Sequence, residues 1–182
     1  MKKFLIFCLV VLMAGCAHWV KTEGPYTSDS QNFTFDPPQG WMRSNNDNPL
    51  LITRDGAMLQ RIVISRIGFS DEKQFNATKK RVTPEMLPQE VAEVVADNVQ
   101  SEKNITSVTV EENTPATISG KPGFRLQLVY STKEGLRYRF ICYGLVSGNY
   151  FYRVMYTAPV RYYFDKDLDA FEKVATSFKL TR

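Results

Sequence analysis

Arginine and tyrosine side chains recur at alternating positions in the C-terminal half of the sequence. Four arginines lie on neighbouring predicted strands, and tyrosines are interleaved with them. The arginines are Arg125, Arg137, Arg139 and Arg153, and Tyr143 is one of the tyrosines. Both residue types are enriched at protein-binding hot spots. We take these five residues as a candidate partner-binding set. The alternative is that the arginine stems cover core aromatic rings while the guanidinium groups face solvent, and the unknown strand register leaves both interpretations open.

Catalytic groups of the common hydrolase types are scarce. His18 is the only histidine and lies in a polar N-terminal segment, so a Ser-His-Asp or Cys-His site would have to use it. Cys142 alternates with apolar neighbours, which predicts a buried and inert thiol. We therefore expect no enzymatic activity, no metal site and no cofactor. A hydrolase using two carboxylates stays open, although the sequence identifies no pair.

Three aspartates at alternate positions resemble the first ligands of a calcium loop: Asp165, Asp167 and Asp169. However, Ala170 stands where such a loop needs glycine, and Thr176 stands where it needs a bidentate glutamate. Apolar residues at spacings of four, three, four and three predict a helix instead. They are Phe164, Leu168, Phe171, Ala175 and Phe178. In this interpretation Asp165 caps the helix, and Asp167 belongs to its polar face.

The N-terminus has the pattern of a secretory signal. Lys2 and Lys3 precede an apolar run over residues 4–13, and small residues follow at 14 and 15. A membrane-spanning helix needs about 20 apolar residues, so this run is too short to be one. We expect residues 1–15 to be a signal peptide that is removed.

The four residues Met13-Ala14-Gly15-Cys16 resemble the lipobox of bacterial lipoproteins. The resemblance implies cleavage between Gly15 and Cys16, a diacylglyceryl group on the Cys16 sulfur, and often a further acyl chain such as palmitate on the new N-terminus. Two or more chains anchor a protein stably on a membrane. Because residue 17 is alanine rather than aspartate, resemblance to the sorting pattern of two-membrane bacteria implies the outer membrane, facing the periplasm.

Composition narrows the function classes further. Removal of residues 1–15 from the 182-residue chain leaves 167 residues, enough for one domain with its own core. Loss of Lys2 and Lys3 lowers the formal charge from +4 to +2, which argues against dedicated nucleic-acid binding. Cys142 would be the only unmodified cysteine, so we expect no internal disulfide.

The order of elements predicts an α+β domain. Residues 16–30 are polar and interrupted by Gly24-Pro25, so we expect a lipidated N-terminus and flexible tether, with a single domain over residues 31–182. Short strands come first, and a polar loop over residues 68–82 follows. Thr83-Pro84 and Pro88 then open a helix that runs to about Lys103, followed by antiparallel strands with an interruption at Glu111–Pro115 and by a final helix. The predicted hairpin that is rich in aromatic residues carries apolar side chains on both of its faces. We therefore expect an antiparallel sheet of about six or seven strands with helices packed on its faces.

Several segments resemble PsbP-like domains: Phe33-Thr34-Phe35, Pro38-Gln39-Gly40-Trp41, Ser119–Phe124 and Val174–Lys179. The resemblance covers most of residues 31–180 and implies a PsbP-like α/β sandwich. It also implies an adaptor or accessory role in a larger assembly, since that is what relatives of this fold do.

Two functional hypotheses follow. The first is a membrane-anchored envelope lipoprotein that acts as a non-catalytic binding or accessory module for a protein partner. The second is a carrier of a lipid or another apolar ligand, held under the helices of an aromatic-rich sheet. A carboxylate hydrolase ranks below both.

Mass spectrometry of the native molecule tests the anchor. We expect the mature chain to begin at Cys16 and to carry acyl chains on that residue, because residues 13–16 have the lipobox pattern. An unmodified Cys16 sulfur, or a different first residue, would contradict the prediction.

Overall fold

The computed structural model describes residues 19–181. The predictions for the signal peptide, for Cys16 and for His18 concern residues outside this range. The strands in it are β1 (Trp19–Lys21), β2 (Tyr26–Ser28), β3 (Phe33–Phe35), β4 (Met42–Ser44), β5 (Leu50–Thr53), β6 (Arg61–Gly68), β7 (Ile105–Ile118), β8 (Lys121–Thr132), β9 (Arg137–Ser147), β10 (Tyr150–Pro159) and β11 (Lys179–Leu180). The helices in it are α1 (Pro88–Gln100) and α2 (Tyr163–Ser177).

The strands form two antiparallel sheets. The larger has eight strands in the order β1-β4-β5-β6-β10-β9-β8-β7, and the smaller has three in the order β11-β3-β2. The prediction of one sheet with six or seven strands is therefore too low. Strands β1, β2 and β4 have three residues each, which is too short for an alternating pattern to stand out from the surrounding loops.

The N-terminal segment from Trp19 to Ser28 is paired into both sheets, which differs from the expected flexible tether over residues 16–30. Strand β1 pairs with β4, and β2 pairs with β3. Between them, Thr22 is buried, and its backbone N–H donates to the carbonyl of Trp41 at 2.8 Å. Backbone hydrogen bonds hold this segment in the two sheets. Its amino-acid composition therefore does not indicate the strands β1 and β2.

The long strands β8, β9 and β10 direct apolar side chains to both faces of the larger sheet. One core lies under α1 and includes Val91, Val95, Leu126, Leu128 and Phe140. The other lies under α2 and includes Ile62, Ile64, Tyr156, Phe164 and Phe171. Helix α1 packs against β7, β8 and β9, whereas α2 packs against β10 and β3, so each helix covers only part of its face.

Two glycines allow an aromatic ring to lie directly on the hairpin of β8 and β9. A Cβ atom on Gly144 would lie 2.4 Å from Cζ of Phe124 and 2.9 Å from the ring of Phe151. A Cβ on Gly123 would lie 2.4 Å from the carbonyl oxygen of Gly144. Glycine at both positions is what lets the stacked rings of Phe124 and Phe151 fill this part of the core.

Three element boundaries differ from the sequence prediction. Helix α1 ends at Gln100 rather than near Lys103. Strand β7 runs without a break through Glu111–Pro115, with a register shift between Val110 and Glu112. Helix α2 begins after Tyr162, whose φ of 72° marks the turn into the helix, so Asp165 lies in the first turn and is not the cap.

Residues 69–87 connect β6 to α1 without a strand or helix, so the loop predicted over residues 68–82 is longer than expected and the helix opens at Pro88 rather than at Thr83-Pro84. Arg81 holds the connection in place, because its guanidinium donates to the carbonyls of Phe69, Asp71 and Glu72. Within residues 19–181, no helix combines the length and apolar character that crossing a membrane requires.

Candidate functional site

Arg125 and Tyr143, two of the five candidate binding residues, meet on the α2 side of the sheet. Nε of Arg125 donates to the Tyr143 hydroxyl at 3.0 Å, and that hydroxyl donates to Oε2 of Glu172 on α2 at 2.8 Å. The Arg125 guanidinium also pairs with Glu172 at 3.4 Å and with Glu112 on β7. Arg125 and Tyr143 are direct partners across β8 and β9, which places both side chains on one face.

Arg139 extends this group of paired charges. Its Nε lies 3.2 Å from Oε2 of Glu111, and its guanidinium lies 5.0 Å from the centre of the Phe164 ring. Gln127 joins the two halves, because its Nε2 donates to Glu111 at 2.8 Å and its Oε1 accepts from Arg125 at 3.1 Å. We call Arg125, Gln127, Arg139, Tyr143, Glu111, Glu112 and Glu172 the α2 network.

The register shift in β7 explains why two successive glutamates contribute to one network. Neighbouring residues of a regular strand point to opposite faces. The shift between Val110 and Glu112 inserts an extra residue, and both Glu111 and Glu112 reach arginines on the α2 side. The sequence predicts an interruption of the strand at this pair, but it does not predict the direction of the two side chains.

The charged side chains of the α2 network form ion pairs with one another. Two guanidinium groups face three carboxylates, so the arginines do not form an unpaired basic surface. Burial, and then the hydrogen bond to Glu172, raises the pKa of Tyr143 to about 12. The phenol therefore stays protonated at neutral pH. The network ties α2 to β7, β8 and β9 of the larger sheet.

The other two candidate residues lie apart from the network. Arg137 is exposed at the start of β9, on the same face as Arg139 by strand alternation. Arg153 lies on the opposite, α1 side, where its Nε donates to Oγ of Ser65 at 2.8 Å. The cross-strand partner of Arg153 is Gly144, which follows Tyr143 directly in β9. Because successive residues of a strand face opposite sides of the sheet, Arg153 and Tyr143 lie on opposite faces. Burial lowers the pKa of Arg153. The five residues therefore do not share one surface.

A second group of charges lies at the start of α2 and was missed by the sequence analysis. Asp167 is only 2 % exposed, and its Oδ1 pairs with Nη2 of Arg54 at 2.6 Å. Gln60 Nε2 donates to the other oxygen of Asp167 at 3.3 Å. The Arg54 guanidinium also lies 5.7 Å from the ring centre of Trp41, which is buried.

The assignment of Asp167 to the polar face of the helix is wrong. Asp167 lies three residues after Phe164 and four before Phe171, so it shares their buried stripe. Asp165 and Asp169 point outward and are exposed, which separates the three carboxylates of the calcium-like pattern. The interpretation of this segment as a helix is confirmed.

A groove of about 1080 Å³ runs between the loop 36–39 and α2; we call it the α2 groove. Arg54, Asp167 and Glu172 line it, so both groups of paired charges border the same space. Further lining residues are exposed and carry charges of both signs: Asp36, Asp169, Lys173 and Lys179. Pro37 and Pro38 form part of its opposite wall.

A second groove, of about 660 Å³, lies on the α1 side; we call it the α1 groove. Its lining includes Tyr130 and Tyr138, whose rings stack with centroids 5.3 Å apart. Met58 and Leu136 at its border are 77 % and 54 % exposed. This volume is within the range of small-ligand pockets, and the lining combines aromatic and aliphatic side chains with polar ones such as Arg61 and Glu102.

Cys142 has no exposed surface, and burial raises the pKa of its thiol to about 12, so it is not a thiolate nucleophile at neutral pH. Over the range 19–181, no three His, Cys, Asp or Glu side chains come close enough together to hold a metal ion.

An eight-stranded antiparallel sheet, a small second sheet and two helices define an α+β fold. The sequence model of the PsbP family matches residues 23–180. The chain therefore belongs to the PsbP family, which confirms the resemblance inferred from its turn and core residues. A search of curated proteins gives no match.

Solved structures of low sequence identity have the same fold. The cyanobacterial PsbP of Synechocystis sp. PCC 6803 aligns with a TM-score of 0.60 at 13 % identity, over 92 % of this chain and 95 % of that one. The Ran-binding protein Mog1p of Saccharomyces cerevisiae aligns with a TM-score of 0.59 at 7 % identity, over 89 % and 97 %. A protein of Bacteroides thetaiotaomicron aligns at 0.54 and 14 %, over 88 % of this chain and 50 % of that one.

The buried ion pair at the start of α2 gives a testable prediction for stability. Replacing Asp167 by Asn removes the charge that faces Arg54, and we expect a loss of about 1–3 kcal/mol in the free energy of unfolding. The value is below that of a fully buried pair because the Arg54 side chain is 35 % exposed. Urea denaturation measures it.

The matched control is Asp169→Asn, one half-turn along α2, where the carboxylate is exposed. We expect that variant to unfold within about 0.5 kcal/mol of the wild type. Equal losses in the two variants would contradict a structural role for the Asp167 pair.

Proposed function

We propose that this chain is a lipid-anchored lipoprotein of the cell envelope whose PsbP domain is a non-catalytic binding module for a protein assembly. The observation that carries the proposal is the α2 groove. Its floor is set by paired charges, including Arg54 and Asp167, and its borders carry exposed charges of both signs.

Such a groove suits a polar protein segment better than an apolar small molecule. Arg54 is paired with Asp167, and Glu172 is paired with Arg125 behind it, so these lining side chains are already ordered before a partner binds. Exposed Asp169 and Lys173 on one helix present both signs of charge, which favours a partner with a complementary pattern. Mog1p, which has this fold, is a Ran-binding protein, and this is in keeping with a protein-binding role.

The anchor supports the envelope assignment. Cys16 lies seven residues before the start of the PsbP match at residue 23, so a mature chain beginning at Cys16 consists almost entirely of this domain. Acyl chains on Cys16 would hold the domain on a membrane, and Ala17 favours the outer membrane with the domain in the periplasm. In an organism with one membrane, the domain would lie on the outer surface of the cell.

A photocrosslinking experiment in intact cells tests the binding role. A benzoylphenylalanine at Thr176, which is exposed in the α2 groove, is expected to form a protein adduct of higher mass on illumination. The control position is Leu87, which is 63 % exposed and lies just before α1. Adducts from neither position, in protein whose acylation at Cys16 has been verified, would contradict the proposal. Adducts from Leu87 alone would place the partner elsewhere than the α2 groove.

A carrier of an apolar ligand is the second candidate, and the α1 groove favours it. The test is binding of a fluorescent fatty acid to the full chain. We expect uptake that is weakened by Leu136→Arg at the edge of the groove and unchanged by Thr176→Arg in the α2 groove. Absence of uptake, or equal loss in both variants, would remove this candidate.

A further inference from the structure

One part of the larger sheet has a partly open apolar surface. Strand alternation defines it: Ile52 and Ile62 point into the core under α2, so their neighbours Leu51 and Val63 point to the opposite side. Met42 is also on that side, because it alternates with Arg43, the cross-strand partner of Ile52.

Strand β1 completes this surface at the sheet edge. Lys21 is the cross-strand partner of Met42, so Lys21 and Trp19 point to the same side. Trp19 is 37 % exposed, Lys21 is exposed, and Met42, Leu51 and Val63 are half-buried. We call these five residues the Trp19 face. Helix α1 packs on the same side of the sheet but against β7, β8 and β9, at the other end of the strand order.

The distance from the predicted anchor determines what this face can contact. Trp19 follows Cys16 by three residues, and a fully extended chain of that length spans at most about 11 Å. The polar layer on each side of a bilayer is about 5–8 Å thick. Acyl chains on Cys16 would therefore keep Trp19 at or just above the lipid headgroups, whatever the conformation of the residues between them.

The chemistry of the Trp19 face fits that position. Tryptophan is enriched at membrane–water interfaces, because its ring is amphipathic. Lys21 beside it would be attracted to anionic headgroups. The partly open side chains of Met42, Leu51 and Val63 would then face the bilayer rather than water.

We propose that the Trp19 face lies on the lipid bilayer and sets the orientation of the domain. The inference rests on the proposed lipidation of Cys16 and adds a second contact with the membrane. Because the α2 groove is on the opposite side of the sheet, this orientation directs the groove away from the membrane, where an envelope partner can reach it.

Tryptophan fluorescence of the full, acylated protein in vesicles tests the orientation. The chain has two tryptophans, and Trp41 is only 4 % exposed, so it serves as an internal reference. In phosphatidylethanolamine–phosphatidylglycerol vesicles with brominated acyl chains, we expect the Trp19 share of the emission to be quenched. The Trp19→Phe variant should bind the same vesicles and show no quenching.

A second measurement does not depend on tryptophan. Cys142 is fully buried, so a fluorophore can be attached at Lys21→Cys or, as a matched control, at Thr176→Cys in the α2 groove. We expect the label at position 21 to be shielded from aqueous iodide when vesicles are present, and the label at 176 to remain accessible.

Vesicle flotation and mass spectrometry separate the two possible failures. Protein that lacks acyl chains or does not float contradicts the proposed anchoring. Protein that floats while Trp19 and the label at position 21 stay accessible overturns the orientation alone. Shielding that occurs in native envelopes but not in pure lipid vesicles would mean that a protein covers this face, and this also overturns the proposal.

Discussion

The register between β8, β9 and β10 is the constraint on which the rest of the structure depends. Each strand has apolar residues in both alternating sets, so the pairing decides which set meets α1 and which meets α2. In the observed register Val154 pairs with Tyr143 and points to the α2 side, while Phe151 and Cys142 point to the α1 side. A shift by one residue would exchange the two faces and bury Arg153 against α2.

The same register assembles the paired charges. Arg125 is opposite Tyr143, which places both within reach of Glu172 when α2 packs on that face. At the start of α2, the stripe that buries Phe164 and Phe171 also buries Asp167, which is held by Arg54. Side-chain pairing thus reinforces the position of one helix at two points along its length, and these two points line the groove proposed as the binding site.

Much of the fold could be predicted from the sequence because it depends on long periodic segments. The stripes of α1 and α2 and the alternation in β8–β10 are readable from residue order alone. Trp41 and the turn at Gly120–Gly123 belong to the segments whose resemblance to PsbP-like domains indicated the family. The strands β1, β2 and β4 were not predictable, because each has only three residues, too few for an alternating pattern to stand out from the surrounding loops.

The candidate site was less predictable than the fold. Face assignment requires the cross-strand register, which a single sequence does not contain, and this separated Arg153 from Arg125. The bulge in β7 turned both Glu111 and Glu112 toward arginines, against the ordinary alternation of a strand. Asp167 could have been found, since its spacing from Phe164 and Phe171 places a carboxylate within an apolar stripe.

Strand β1 has a mechanical consequence. All three of its residues are exposed, so its pairing with β4 depends on backbone hydrogen bonds and buries little apolar surface. A pulling force on the N-terminus would reach β1 before either helix. Separation of residues 19–25 would turn this segment into a link that spans at most about 25 Å, while leaving the cores under α1 and α2 intact. The first strand can thus act as an extensible joint between the N-terminus and a rigid body.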